Sequence, residues 1–268
     1  MGNILAVDVG NTHIEIGLYD NETLVDSWRI ATGVHRTEDE LMSFIHVFLG
    51  RRNRRFEDIR DLAIASVVPN ITQIFTRMSE KYLGRAPFVA DGSCDTGMPV
   101  DYNPPSSVGA DRICNAVAAY NRYGGPAVVV DFGTATTLDV VSVDGVYLGG
   151  LIAPGLETAS WGLHERASKL PRISYEFPAT AVGKTTEHSM QAGIMLGAVK
   201  MIDGLIELVA DELGQAPVVV ATGGLSRLFA GRSRYIEHVE PDLVLQGLMR
   251  IYRRNRPLPS PSDDGDRT

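Results

Sequence analysis

Ile4-Leu5-Ala6-Val7-Asp8-Val9-Gly10-Asn11-Thr12-His13-Ile14-Glu15-Ile16-Gly17 lies at the head of the chain. About half a chain length further on the pattern returns as Ala127-Val128-Val129-Val130-Asp131-Phe132-Gly133-Thr134-Ala135-Thr136-Thr137. Each copy is an apolar run that ends in Asp-x-Gly, passes through small hydroxyl or amide residues and resumes as a second β-rich run. Repetition at that spacing predicts two similar halves, each presenting a glycine-containing hairpin to a shared cleft. Such hairpins suit polyphosphate, because glycine lets the backbone approach closely and turn N–H groups and Thr hydroxyls supply donors. The strand-end carboxylates repel phosphate and are read as partners of a metal ion or an ordered water.

Outward from the first copy, strands are expected over 3–9, 13–20 and 23–31, with Asp20-Asn21 as a turn. Thr37-x-x-Glu40 is a capping box ahead of Leu41, Phe44, Ile45, Phe48 and Leu49 at helical spacing. A strand over 62–68 stops at Pro69, a helix over 71–83 ends at Gly84, and a short strand follows at 87–90. Residues 91–107 read as loop, and a helix follows over 109–123. The second half repeats the scheme with strands at 126–132, 136–143 and 146–152, Asp144-Gly145 marking a hairpin. Beyond an irregular stretch at 171–187 come a helix over 188–213, strands at 217–222 and 235–239, and a last helix at 242–253. Three strands and then α/β alternation, twice, is the architecture of the actin-like ATPase and sugar-kinase superfamily. The fold class expected is α/β, with two similar actin-like (ribonuclease H-like) domains around an interdomain nucleotide cleft. The division expected is 1–120, 121–255 and a disordered tail over 256–268, rich in Pro, Ser, Asp and Gly.

The chain has 268 residues, 44% hydrophobic and 22% charged, an ordinary globular balance. Its net charge of −8 argues against nucleic acid as a main partner. The arginines at 51, 52, 54 and 55 and at 250, 253, 254 and 256 read as solvated surface. No apolar run approaches the roughly 18 residues of a membrane span, and the start leads straight into a strand. No membrane association and a reduced, cytoplasmic setting are therefore expected, although a Cys94–Cys114 pair is not excluded.

Several motifs fail on inspection. Asp131-Phe132-Gly133 matches the metal triplet of protein kinases, but no Gly-rich loop, strand Lys or His-Arg-Asp loop accompanies it. Gly183-Lys184-Thr185-Thr186 is no Walker loop, since Pro178 stands where the earlier glycine belongs, and it stays open as a hydroxyl-rich loop that touches a ligand. The six histidines show no metal spacing. Gly193-x-x-x-Gly197 reads as a close helix contact, within the chain or across a subunit interface. Gly223-Gly224 after an apolar strand suits either an adenine face or a simple strand–helix turn. The chemically loaded segment is Tyr102-Asn103-Pro104-Pro105-Ser106-Ser107-Val108-Gly109-Ala110-Asp111-Arg112. There a helix starts at a small-residue step with a carboxylate and a guanidinium in its first turn, which suits a base beside a cation. A first-turn Asp is also a good dipole partner.

Taken together and in order, Asp8-Val-Gly-Asn-Thr12, Tyr102 through Gly109-Ala-Asp111-Arg112, Asp131-Phe-Gly-Thr134-Ala-Thr136-Thr137, Gly149-Gly-x-Ile152-x-Pro154-Gly155 and Ala221-Thr-Gly-Gly224 resemble the type III pantothenate kinases. The likeness covers residues 3 to about 253. Two adjacent prolines, Pro104 and Pro105, leave the family's single proline ambiguous by one place. The resemblance implies ATP-dependent phosphorylation of pantothenate to 4′-phosphopantothenate, the first step toward coenzyme A, by a homodimer. It places Asp8, Val9, Gly10, Asn11, Thr12, His13, Ile14 and Glu15 on the first phosphate hairpin and Thr134 on the second. Tyr102, Gly109, Ala110, Asp111, Arg112 and Thr186 would contact pantothenate, with Asp111 as general base. Asp131 would bind K⁺ or NH₄⁺, and Mg²⁺ would arrive with ATP. An actin-like nucleotide-binding regulator or pseudokinase is the alternative; it would keep both hairpins without small-molecule turnover.

Overall fold

The repeat in the sequence is also a repeat of strand order. The computed structural model describes residues 3–33, 35–167 and 169–256. One five-stranded sheet is built from β1 (Asn3–Val9), β2 (His13–Asp20), β3 (Thr23–Ala31), β4 (Ile59–Ser66) and β5 (Phe88–Ala90), in the order β3-β2-β1-β4-β5. The other is built from β6 (Ala127–Phe132), β7 (Ala135–Val141), β8 (Tyr147–Pro154), β9 (Val218–Thr222) and β10 (His238–Val239), in the order β8-β7-β6-β9-β10. In each, the first three strands form an antiparallel meander, and the fourth and fifth run parallel to the first. The first strand of each half is central and covered on both faces, which is why it reads as an unbroken apolar run.

Side-chain alternation then fixes which way each strand-end carboxylate points. Leu5, Val7 and Val9 belong to one core with Leu41, Ile45, Ile71 and Phe75, so Asp8 belongs to the opposite face of the sheet. Val128, Val130 and Phe132 likewise share a core with Met195, Ile202 and Ile206, and Asp131 takes the opposite face. The two aspartates occupy equivalent places in the repeat.

Helix starts and stops follow local chemistry. The capping box of α1 (Glu38–Gly50) forms: Glu40 N donates to Thr37 Oγ1 at 3.2 Å, and Thr37 N donates to Glu40 Oε2 at 2.8 Å. α2 (Pro69–Leu83) has proline in its first turn and ends on Gly84 at φ 68°. In the second half, α4 (Leu156–Arg166), α5 (Thr186–Gln191), α6 (Gly197–Leu213) and the short α7 (Ser226–Phe229) follow β8 and β9. A π turn over Ala192–Leu196 joins α5 to α6.

The chain forms two compact units that do not follow a single cut near residue 120. Among the described residues the first comprises 3–98, 103–118 and 244–256; the second comprises 99–102 and 119–243. The change of unit falls inside α3 (Ala110–Tyr123). The last helix, α8 (Leu243–Asn255), returns to the first unit because its apolar face is built for that sheet. Leu245 packs onto Gly17, Gly247 fits against the Cys114 carbonyl, and Tyr252 meets Phe88 edge-on and donates to Asp61 at 2.9 Å. Residues 99–102 join the second unit through Tyr147, which donates its N–H to Pro99 O and accepts from Asp101 N. Of the tail, only Arg256 is described, paired with Asp61 at 2.7 Å; the expectation of disorder over 257–268 lies outside the described residues. Cys94 and Cys114 are free thiols. Among the described residues no helix is long and apolar enough to cross a membrane.

Candidate active site

Each hairpin is locked by a backbone bond across its tip. Gly10 N donates to His13 O at 3.0 Å, and Gly133 N donates to Ala135 O at 3.1 Å. In the first hairpin Asn11 and Thr12 are exposed, while Val9 and Ile14 are sealed in the core. Anything Val9 and Ile14 give a ligand must come from their backbone. The residue after β3 braces this tip: Thr32 Oγ1 donates to Gly10 O at 2.7 Å, and Thr32 N donates to Thr12 O at 2.9 Å.

The second hairpin is braced by packing. Gly155, which follows β8, lies so close that a Cβ there would stand 2.4 Å from Gly133 O and 2.5 Å from Thr134 O. Thr158, in the first turn of α4, donates to Thr134 O at 2.6 Å. Asp131 lies against bare backbone, since a Cβ on Gly223 would fall 2.3 Å from Asp131 Oδ1 and 2.8 Å from Phe132 N. Gly223 also sits at φ +87°, a conformation that other residues adopt only with strain. The Gly223-Gly224 turn thus serves Asp131 directly, a role that the sequence alone does not signal.

Asp111 lies in the first turn of α3 with its carboxylate folded over Gly109. A Cβ on Gly109 would meet Asp111 Oδ1 at 2.4 Å, so a larger residue there would push the carboxylate out of this position. Arg112 N donates to Asp111 Oδ1 at 2.8 Å. Burial pushes the Asp111 carboxyl above its ordinary value, and the Arg112 N–H and charge only partly oppose that shift. One turn further along α3, burial drives the Cys114 thiol well up, with the Asp8 and Asp111 carboxylates adding to the effect.

Tyr102 belongs to the second unit, and Gly109–Arg112 belong to the first. Its ring meets Tyr147 edge-on at 6.5 Å and lies over Gly149. Thr186 is exposed at the start of α5, whose cap is Thr185: His188 N donates to Thr185 Oγ1 at 3.1 Å. The hydroxyl-rich 183–186 segment is a helix start. Gly193 and Gly197 have open space around them, so the close packing expected there is not made among the described residues. Among the described residues no three His, Cys, Asp or Glu side chains gather into a metal cage.

A duplicated sheet of this order, with an Asp-x-Gly hairpin ending each first strand, defines the class of actin-like ATPases and sugar kinases. Solved structures with the fold include a Baf-family protein from Campylobacter jejuni (TM-score 0.63, 18% identity, covering 95% of this chain and 100% of that one). Component A of the Acidaminococcus fermentans (R)-2-hydroxyglutaryl-CoA dehydratase also has it (TM-score 0.51, 15% identity, covering 94% and 96%). At such identities the likeness is one of fold alone. Residues 4–208 match the family model described as type III pantothenate kinase. The type III pantothenate kinase of Syntrophotalea carbinolica is 46% identical over 253 residues, 94% of this chain and 99% of that one. The Moorella thermoacetica protein of the same name is 44% identical over 252 residues, again covering 94% and 99%. The chain belongs to the type III pantothenate kinase family, and is a kinase of the phosphotransferase class.

Proposed function

We propose that this chain transfers the γ-phosphoryl group of ATP to the primary hydroxyl of pantothenate, with Asp111 as general base. The observation that carries the reading is the Asp111 carboxylate seated over Gly109, with burial raising its basicity. A primary alcohol does not ionise at neutral pH, so a carboxylate in reach must take its proton as the new P–O bond forms and ADP leaves. Raising the carboxyl brings its proton affinity closer to that task.

Phosphoryl transfer otherwise needs positioning and charge neutralisation. The tips Gly10-Asn11-Thr12 and Gly133-Thr134 offer turn N–H groups and hydroxyls, and both serve the ATP phosphates in this reading. Mg²⁺ bound with ATP would neutralise phosphate charge, with Asp8 and Asp131 as the carboxylates suited to its water shell. Asp131, pressed against the Gly223 backbone, would also hold K⁺ or NH₄⁺. Pantothenate is itself an anion; Arg112 and the α3 start would receive its carboxylate, with Tyr102 and Thr186 as further contacts.

A homodimer and a cytoplasmic setting belong to the same reading. Gly197 and Gly204 have open space around them and Leu208 is exposed, at spacings that keep all three on one side of α6. Two free thiols suit a reducing compartment. The test is ADP release by the purified protein with and without pantothenate. Release that depends on pantothenate supports the proposal; a rate indifferent to it would point instead to a nucleotide-binding regulator.

A further inference from the structure

Tyr102 is set from beneath by residues of β8, which are in turn buttressed from β7. Tyr147 is fully buried at the start of β8 and grips the 99–102 segment from both sides. Its N–H donates to Pro99 O at 2.9 Å, its carbonyl accepts from Asp101 N at 2.8 Å, and Val100 bridges to it in parallel. Its ring presents an edge to Tyr102, and its hydroxyl donates to Asp139 Oδ1 at 2.8 Å. Asp139 is completely buried on β7 and also accepts from Thr137 Oγ1 at 3.4 Å. On the far side, Tyr102 lies on Gly149, at φ +107°, where a Cβ would come within 3.3 Å of Tyr102 Cδ2. A carboxylate buried this deeply is costly, and it is held by hydrogen bonds whose effect is to fix the Tyr147 ring.

We infer that Tyr147, oriented by Asp139, is a positioning residue for the acceptor: with Gly149 it sets the Tyr102 ring at the angle that receives pantothenate. The inference rests on the reading of Tyr102 as a pantothenate contact. Neither Tyr147 nor Asp139 touches substrate in this account; both act through Tyr102.

The experiment is a double-mutant cycle between Tyr147→Leu and Tyr102→Ala, read in the KM for pantothenate and, separately, the KM for ATP. Aromatic pairs couple by amounts that correspond to about 2- to 10-fold in such a constant. Tyr147→Leu is expected to raise the pantothenate KM by about that factor and leave the ATP KM unchanged. In the Tyr102→Ala background it should add nothing. Asp139→Asn still accepts the Tyr147 hydrogen bond and is expected to stay near wild type. Thermal melting checks folding. Should Tyr147→Leu fail to fold, Gly149→Ala disturbs the Tyr102 ring from the other side and enters the same cycle with the same expectation.

The outcomes separate. If Tyr102→Ala leaves the pantothenate KM unchanged, the reading of Tyr102 falls and this inference with it. If Tyr102→Ala raises that KM but the Tyr147 or Gly149 effect adds independently, or appears equally in the ATP KM, only the positioning role is overturned.

Discussion

The first sheet and the second share strand order, hairpin and strand-end aspartate, yet their hairpins are braced differently. Hydroxyl and backbone hydrogen bonds from Thr32 brace the first hairpin. Contact with Gly155 and the Thr158 hydroxyl brace the second, while Gly223 closes against its aspartate. In the first unit the place equivalent to Gly223, next along the neighbouring parallel strand, is taken by Ser66. Its hydroxyl instead accepts from Val68 N at the start of α2. The repeat thus duplicates a hairpin shape and leaves its surroundings unduplicated: one half carries the Asp111 helix start, the other an Asp131 against which the Gly223 backbone closes.

The largest expected break in this comparison is Asp111→Asn. Loss of a general base lowers kcat by about 10²–10⁴-fold, while binding of ATP and pantothenate changes little. Near-normal kcat in the purified variant would remove Asp111 from the chemistry. Next come Gly155→Ala and Gly223→Ala, which force backbone or carboxylate aside in the second unit. Misplacement on the ångström scale costs about 10²-fold in rate, and Gly223→Ala should also blunt activation by K⁺ or NH₄⁺ over Na⁺. Equal wild-type rates in Na⁺-only and K⁺ buffers would remove the cation from Asp131. Thr32→Val should be milder, since it deletes one hydrogen bond worth about 0.5–1.5 kcal/mol; a loss as large as that of Gly155→Ala would show that the two braces are equivalent after all.

The smallest effect is on stability, and its sign separates two roles for Asp111. The folded-state carboxyl is raised, so its stabilising contribution is complete below the ordinary value of 3.8 and is lost as pH rises through the raised value. At neutral pH the ionised group costs stability, and Asp111→Asn should melt at an equal or higher temperature. A helix-dipole partner would behave oppositely, losing about 0.3–1 kcal/mol on substitution.

Much of this was legible in the chain. The apolar runs that lead into Asp8 and Asp131, the Thr37 capping box and the turns at Asn21 and Gly145 all depend on neighbours in sequence, and each forms where local chemistry places it. What escaped the reading depends on distant partners. The amphipathic face of α8 shows that the helix is buried without saying on which sheet; Gly17 and the Cys114 carbonyl decide that. Residues 91–107 read as plain loop because nothing local announces that Pro99 and Asp101 pair with Tyr147. The glycines at 155 and 223 were visible as motif letters, but the atoms that they make room for come from elsewhere in the fold.

The measurement that tests the central claim most directly is the pH dependence of kcat/KM for pantothenate in wild type and in Asp111→Asn, taken as a ratio. Titration of ATP and of pantothenate itself is common to both proteins and cancels. If Asp111 is the base and burial raises its carboxyl, the ratio falls as pH drops through a value above that of an ordinary aspartate. A ratio that stays flat with pH would contradict the account.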